Sequence, residues 1–136
     1  MKLKSRHLLA LLMGVPLLVN GASAQERPRS LALKNGESTE LFTVYSVAKC
    51  RSILVGEPDV EVLEGPPEVS VSYKEAMVVP RNAPNCTDKV KGGIVTATAS
   101  NVNEQKVGKM TIRVKYTTKD GPRQSANVYN VSLFPQ

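Results

Sequence analysis

Four groups of side chains in this sequence have the types and spacing to do chemistry. Ser46-Val47-Ala48-Lys49 fits S-x-x-K, which sets a lysine amine one helical turn from a serine hydroxyl and can activate it as a nucleophile. That spacing works only at a helix start. The flanking residues are β-branched and aromatic, and neither S-D-N nor K-T-G occurs elsewhere. Glu57, Asp59, Glu61, Glu64 and Glu68 form an acidic stretch in which Asp59 and Glu61 share a strand face. Two carboxylates so placed suit acid–base work or calcium, but the closely spaced Asp/Asn and glycine turn of a calcium loop are missing. A solvated outer face accounts for them better. Cys50 lies between Lys49 and Arg51, cations that favour a thiolate, and Cys86 is its one possible partner within the chain. Lys109, Arg113, Lys115, Lys119 and Arg123 are the fourth group, a candidate basic patch for an anionic partner.

The N-terminus decides which of these chemistries survive. Lys2, Lys4 and Arg6 precede an uncharged apolar run, Leu8–Val19, and Ala22 and Ala24 then stand in A-x-A positions. Residues 1–24 therefore read as a cleavable signal peptide, cut before Gln25. The apolar run is shorter than the roughly 20 residues that span a bilayer. No later segment could cross a membrane as a helix. The expected mature chain, 25–136, has 112 residues, the size of one domain. The only histidine, His7, falls in the signal. Without histidine, Ser-His-Asp and Cys-His activation and His-ligated metal sites are excluded. An oxidising compartment makes a Cys50–Cys86 disulfide the expectation and removes thiolate metal ligation with it. No catalytic residue, metal ligand or cofactor is expected.

Cleavage also rewrites the charge. The net +6 of the whole sequence drops to +3 when Lys2, Lys4 and Arg6 leave. Residues 25–85 carry a net −2 and residues 86–136 a net +5, so the excess is C-terminal. Arg113 and Lys115 alternate with apolar positions and project from one outer face. They either meet an anionic envelope component or acidic protein, or keep a strand face soluble. Nucleic acid is not expected, since aromatic stacking platforms are sparse.

The elements that must position these residues are short strands. Leu31–Lys34, Thr39–Val47, Ser52–Val55 (ending at Gly56), Asp59–Leu63, Glu68–Tyr73, Glu75–Val79 and Ile94–Ala99 are separated by turn residues, among them Asn35-Gly36, Gly65-Pro66-Pro67 and Lys91-Gly92-Gly93. Lys109–Thr117 puts Met110, Ile112, Val114 and Tyr116 on one face. After Lys119-Asp120-Gly121-Pro122, Arg123–Phe134 returns with Tyr129, Val131 and Leu133 inward, forming a hairpin. No window has a helical period. Seven to eight short strands predict an all-β antiparallel sandwich or small barrel over 25–136.

The runs G-E-S-T-E-L-F-T-V (36–44), Cys50, P-D-V-E-V-L-E-G-P-P (58–67) and M-T-I-R-V-K-Y…V-Y-N-V-S-L resemble small bacterial exported domains of the immunoglobulin-like superfamily. The resemblance implies an Ig-like β-sandwich and no particular activity. It departs from antibody-type domains in having no tryptophan and in placing Cys86 after a proline-rich loop, which implies a disulfide that ties a loop to the sheet. The expected protein is a non-enzymatic binding or structural module, periplasmic in a Gram-negative bacterium or secreted. A small carboxylate- or Ser/Lys-based hydrolase and a secreted enzyme inhibitor are the alternatives.

Overall fold

The computed structural model describes residues 27–136, so the expected signal peptide at 1–24 and His7 lie outside the described residues. Nine strands and no helix make up this part of the chain. They are β1 (Arg29–Lys34), β2 (Ser38–Val44), β3 (Val47–Ala48), β4 (Arg51–Ser52), β5 (Leu54–Glu64), β6 (Val69–Val78), β7 (Val90–Ala99), β8 (Lys106–Thr118) and β9 (Gly121–Phe134).

The alternation in each strand sorts its side chains between core and solvent, and two sheets result. One has the order β1-β9-β8-β5 and the other β2-β7-β6, while β3 and β4 form a small separate ribbon. All pairings are antiparallel except β1 with β9. Leu31, Leu33, Met110, Ile112, Val114, Tyr129, Val131 and Leu133 from the first sheet pack on Val44, Val69, Val95, Ala97 and Ala99 from the second. Facing apolar layers of this kind define a β-sandwich. Small residues on β7 oppose large ones on β8 and β9, which lets the two layers interdigitate.

The β8–β9 hairpin has a two-residue loop, Lys119-Asp120, between the paired Thr118 and Gly121. Buried Thr118 holds it: its hydroxyl accepts from Asp120 N at 3.1 Å and donates to Gly121 O at 2.9 Å. Asn35-Gly36 is a turn as expected, but it transfers the chain from one sheet to the other. Asn35 N donates to Phe134 O in the first sheet and Gly36 N to Ala99 O in the second, each at 2.8 Å.

Three expected breaks are absent. Gly56 does not end a strand; β5 runs through it, with a positive φ of 74° and a register shift between Val55 and Asp59. A glycine at a left-handed position marks a bulge as readily as a turn. β6 continues without interruption from Val69 to Val78, joining two segments read as separate. Lys91-Gly92-Gly93 is not a turn but part of β7, paired with Met77, Ala76 and Glu75 on β6. Both glycines are buried, and a Cβ on Gly92 would collide with the carbonyl oxygen of Val44, one on Gly93 with the Tyr73 ring. In the other direction, the segment Thr39–Val47 is longer than the strand it contains. β2 ends at Val44, and Tyr45-Ser46 lead out to the β3–β4 ribbon.

Candidate functional site

The outer face of the first sheet gathers most of the charged candidates. Register sets Asp59 against Lys115, Glu61 against Arg113 and Glu64 against Thr111. Glu61 and Arg113 form a salt bridge, and the Thr111 hydroxyl donates to Glu64 at 3.1 Å. The Arg113 hydrogen bond, with the guanidinium charge, holds the Glu61 carboxyl below its ordinary value. A general acid at neutral pH needs the opposite shift, so the pairing with Arg113 works against that role. Glu68, further along, accepts two bonds from Lys106 Nζ at 3.0 and 3.2 Å, and they lower its pKa likewise. Asp59, Glu61 and Glu64 are thus cross-strand neighbours of β8, and Glu68 reaches Lys106 from the turn before β6.

The same register sets carboxylates against two members of the expected basic patch. Arg113 is engaged by Glu61, and Lys115 is opposed by Asp59. Lys109 lies across from Asn130 and beyond the end of the β5 pairing. Lys119 sits exposed in the hairpin loop, where its backbone N donates to Ile53 O at 2.9 Å. Arg123 pairs with Tyr116, so it takes the side of β9 opposite to that of Lys115's partner, Gln124. Lys109, Arg113 and Lys115 share one face of β8, and Lys115 and Arg123 line one surface hollow beside Glu57 and Asp59.

Cys50 and Cys86 are joined in a disulfide, with Cα atoms 5.2 Å apart. The bond ties the tip of the β3–β4 ribbon to the loop between β6 and β7. It joins neither main sheet to the other. Lys49 and Cys50 form the two-residue turn of that ribbon, and both have positive φ, 51° and 62°. Such a turn usually carries Asn-Gly. Ser46 and Lys49 lie on this link and its tip. Ser46 is half-buried, its carbonyl accepting from Ile53 N at 2.9 Å, and Lys49 is exposed. No helical turn brings them together. Among the described residues there is no group of three or more His, Cys, Asp or Glu able to hold a metal ion.

A groove of about 660 Å3 runs along β2, lined by every residue from Glu40 to Tyr45. β2 is the outer strand of its sheet, so among the described residues one of its edges has no strand beside it. Met77 and Val79 flank the groove with 58% and 47% of their surface exposed, large values for side chains of this type. Arg29, Arg81 and Lys89 line it as well, with Glu40 the single acid among the described residues that do. The Tyr45 hydroxyl accepts from Asn82 N at 3.0 Å and fixes the loop that carries Arg81. On the far side, β9 contributes Ser125 and Asn127, which precede the stretch that β1 covers. Arg29 opens β1, while Arg81 and Lys89 stand apart in the loop between β6 and β7, so no compact motif signals them.

With this geometry in hand, comparison with protein-family models, curated proteins and solved structures gives no match.

Proposed function

We propose that this chain is an exported, non-enzymatic module of the immunoglobulin-like kind that binds a partner at the cell envelope. The observation that carries the reading is the mutual pairing of its reactive side chains. Glu61, Glu64 and Glu68 are held by Arg113, Thr111 and Lys106 across the sheet, and both cysteines are joined to each other. A strand order of β1-β9-β8-β5 facing β2-β7-β6, with β1 parallel to β9, supports the Ig-like assignment. The disulfide fits an oxidising compartment, and the signal-like residues 1–24 fit delivery to the periplasm of a Gram-negative bacterium or to the medium.

Fractionation of cells expressing the full chain, with N-terminal sequencing, tests the export half. A product beginning at Gln25 outside the cytoplasm is expected, and an intact precursor retained inside would overturn it. Cross-linking in intact cells followed by mass spectrometry tests the binding half. A reproducible covalent partner is expected. Its absence across cross-linkers of different chemistry would sink the binding role.

A further inference from the structure

Resting on that binding-module reading, we propose that the groove along β2 takes an extended acidic segment of a partner protein, added as a further strand to the free edge of β2. A strand edge presents unpaired N–H and C=O groups, and proteins ordinarily blunt such edges with proline, lysine, bulges or short length. The other edges here are treated that way. β5 carries Pro58 and two register shifts. β1 is six residues long and follows Pro28 directly. β6 carries Lys74 and Glu75. β2 has one shift, between Glu40 and Phe42, and from Phe42 to Val44 its pairing with β7 is regular, with no proline or cation in the strand.

What lies beside that regular stretch suits a polypeptide. Backbone groups of an added strand bond to the edge, and its alternate side chains fall into the groove or out of it. Phe42 and Tyr116, half-buried, form the groove's apolar floor, and exposed Met77 gains cover when an apolar side chain enters. The charge chooses among peptides. Arg29, Arg81 and Lys89 take part in none of the salt bridges among the described residues, and Glu40 alone opposes them. Their field favours carboxylates on the incoming strand and disfavours lysines.

The probe is a capped eleven-residue peptide of alternating valine and glutamate. It is added to purified, disulfide-bonded protein and followed by amide chemical shifts and hydrogen exchange. Saturable binding is expected, with shifts and slowed exchange centred on Phe42–Tyr45. The same peptide with lysine for glutamate, or with a central proline, should not bind. Arg81→Glu with Lys89→Glu should weaken binding at least about tenfold, as charge reversal at a docking rim does. If that variant fails to fold by circular dichroism, Arg29→Glu at the start of β1 replaces it with the same expectation. Equal binding of the lysine peptide, indifference to charge reversal, or no saturation overturns the proposal. Shifts confined to the outer face around Lys109 and Lys115 also overturn it while leaving the binding-module reading intact. That reading falls separately, on the absence of any cross-linked partner in cells.

Discussion

Gly92→Ala is the most informative single change in this fold. The new Cβ would run into the carbonyl oxygen of Val44 and stand 2.9 Å from Val78 Cγ2 and 3.2 Å from Tyr45 Cβ. The first obstacle is main chain, so no rotamer change relieves it. Either the end of β2 parts from β7, losing the Val44–Gly93 pairing, or β7 bends away from the core. Overpacking of this kind costs about 1–3 kcal/mol, and the upper end applies where backbone must move. Restricting the unfolded chain returns about 0.5–1 kcal/mol. The net expectation is about 2 kcal/mol, or about 8 °C in Tm for a domain near 100 residues. Gly93→Ala is the control. Its Cβ meets the outer atoms of the Tyr73 ring, a side chain that can swing toward solvent, so its cost should be smaller, about 1 kcal/mol. Urea unfolding followed by far-ultraviolet circular dichroism measures both. A Gly92→Ala protein within about 0.5 kcal/mol of the parent, or a Gly93→Ala protein less stable than it, would refute the assigned backbone obstruction.

Three further outcomes follow from the same geometry. Replacing Lys49 by Gly should stabilise the disulfide-bonded protein by about 0.5–1 kcal/mol, since the left-handed position costs a side chain about 1–2 kcal/mol and glycine's unfolded freedom offsets part of the gain; matched urea titrations would read it. Removing the disulfide with Cys50→Ala and Cys86→Ala should cost up to about 4 kcal/mol, the closure entropy of a loop this long, for a sequence separation of 36. A melt unchanged by both substitutions or by reductant would contradict it. Glu61 and Glu68 sit below their ordinary value of 4.5 in the folded protein, chiefly through hydrogen bonds from Arg113 and Lys106. The unfolded chain therefore takes up protons first on acidification, so their contribution is intact above 4.5 and disappears as pH falls through the folded values. Thermal melts of Glu61→Gln with Glu68→Gln should show a shallower acid decline than the parent.

Sandwich architecture was legible because alternation writes the core directly. Met110, Ile112 and Val114, then Tyr129, Val131 and Leu133, were assigned inward from period alone and are buried. The disulfide was legible from the cysteine count and the compartment that residues 1–24 lead one to expect. Glycine misled at Gly56, Gly92 and Gly93, because a missing side chain marks a turn and a close backbone approach with the same letter. Sheet membership was hidden too. Nothing local to Ser30 or Leu33 says that β1 lies parallel to β9 instead of pairing back on β2. The pairing of the candidate basic patch was not legible because its partners sit on β5, about fifty residues upstream, and only register reveals that Glu61 meets Arg113. The groove escaped for the converse reason. Its cations belong to β1 and to the loop between β6 and β7, and a charge count by segment averages them away.

The parallel pairing of β1 with β9 has a consequence in time. Each of its partners is 100 residues away along the chain, from Arg29 with Tyr129 to Lys34 with Phe134. A polypeptide that emerges N-terminus first must leave Leu31 and Leu33 without their places in the core until residues 129–134 have emerged. Contacts so distant in sequence delay folding, because loop closure comes before its reward. The strand made earliest is therefore among the last to be locked, and nearly the whole chain can pass through a narrow channel before this sandwich can close.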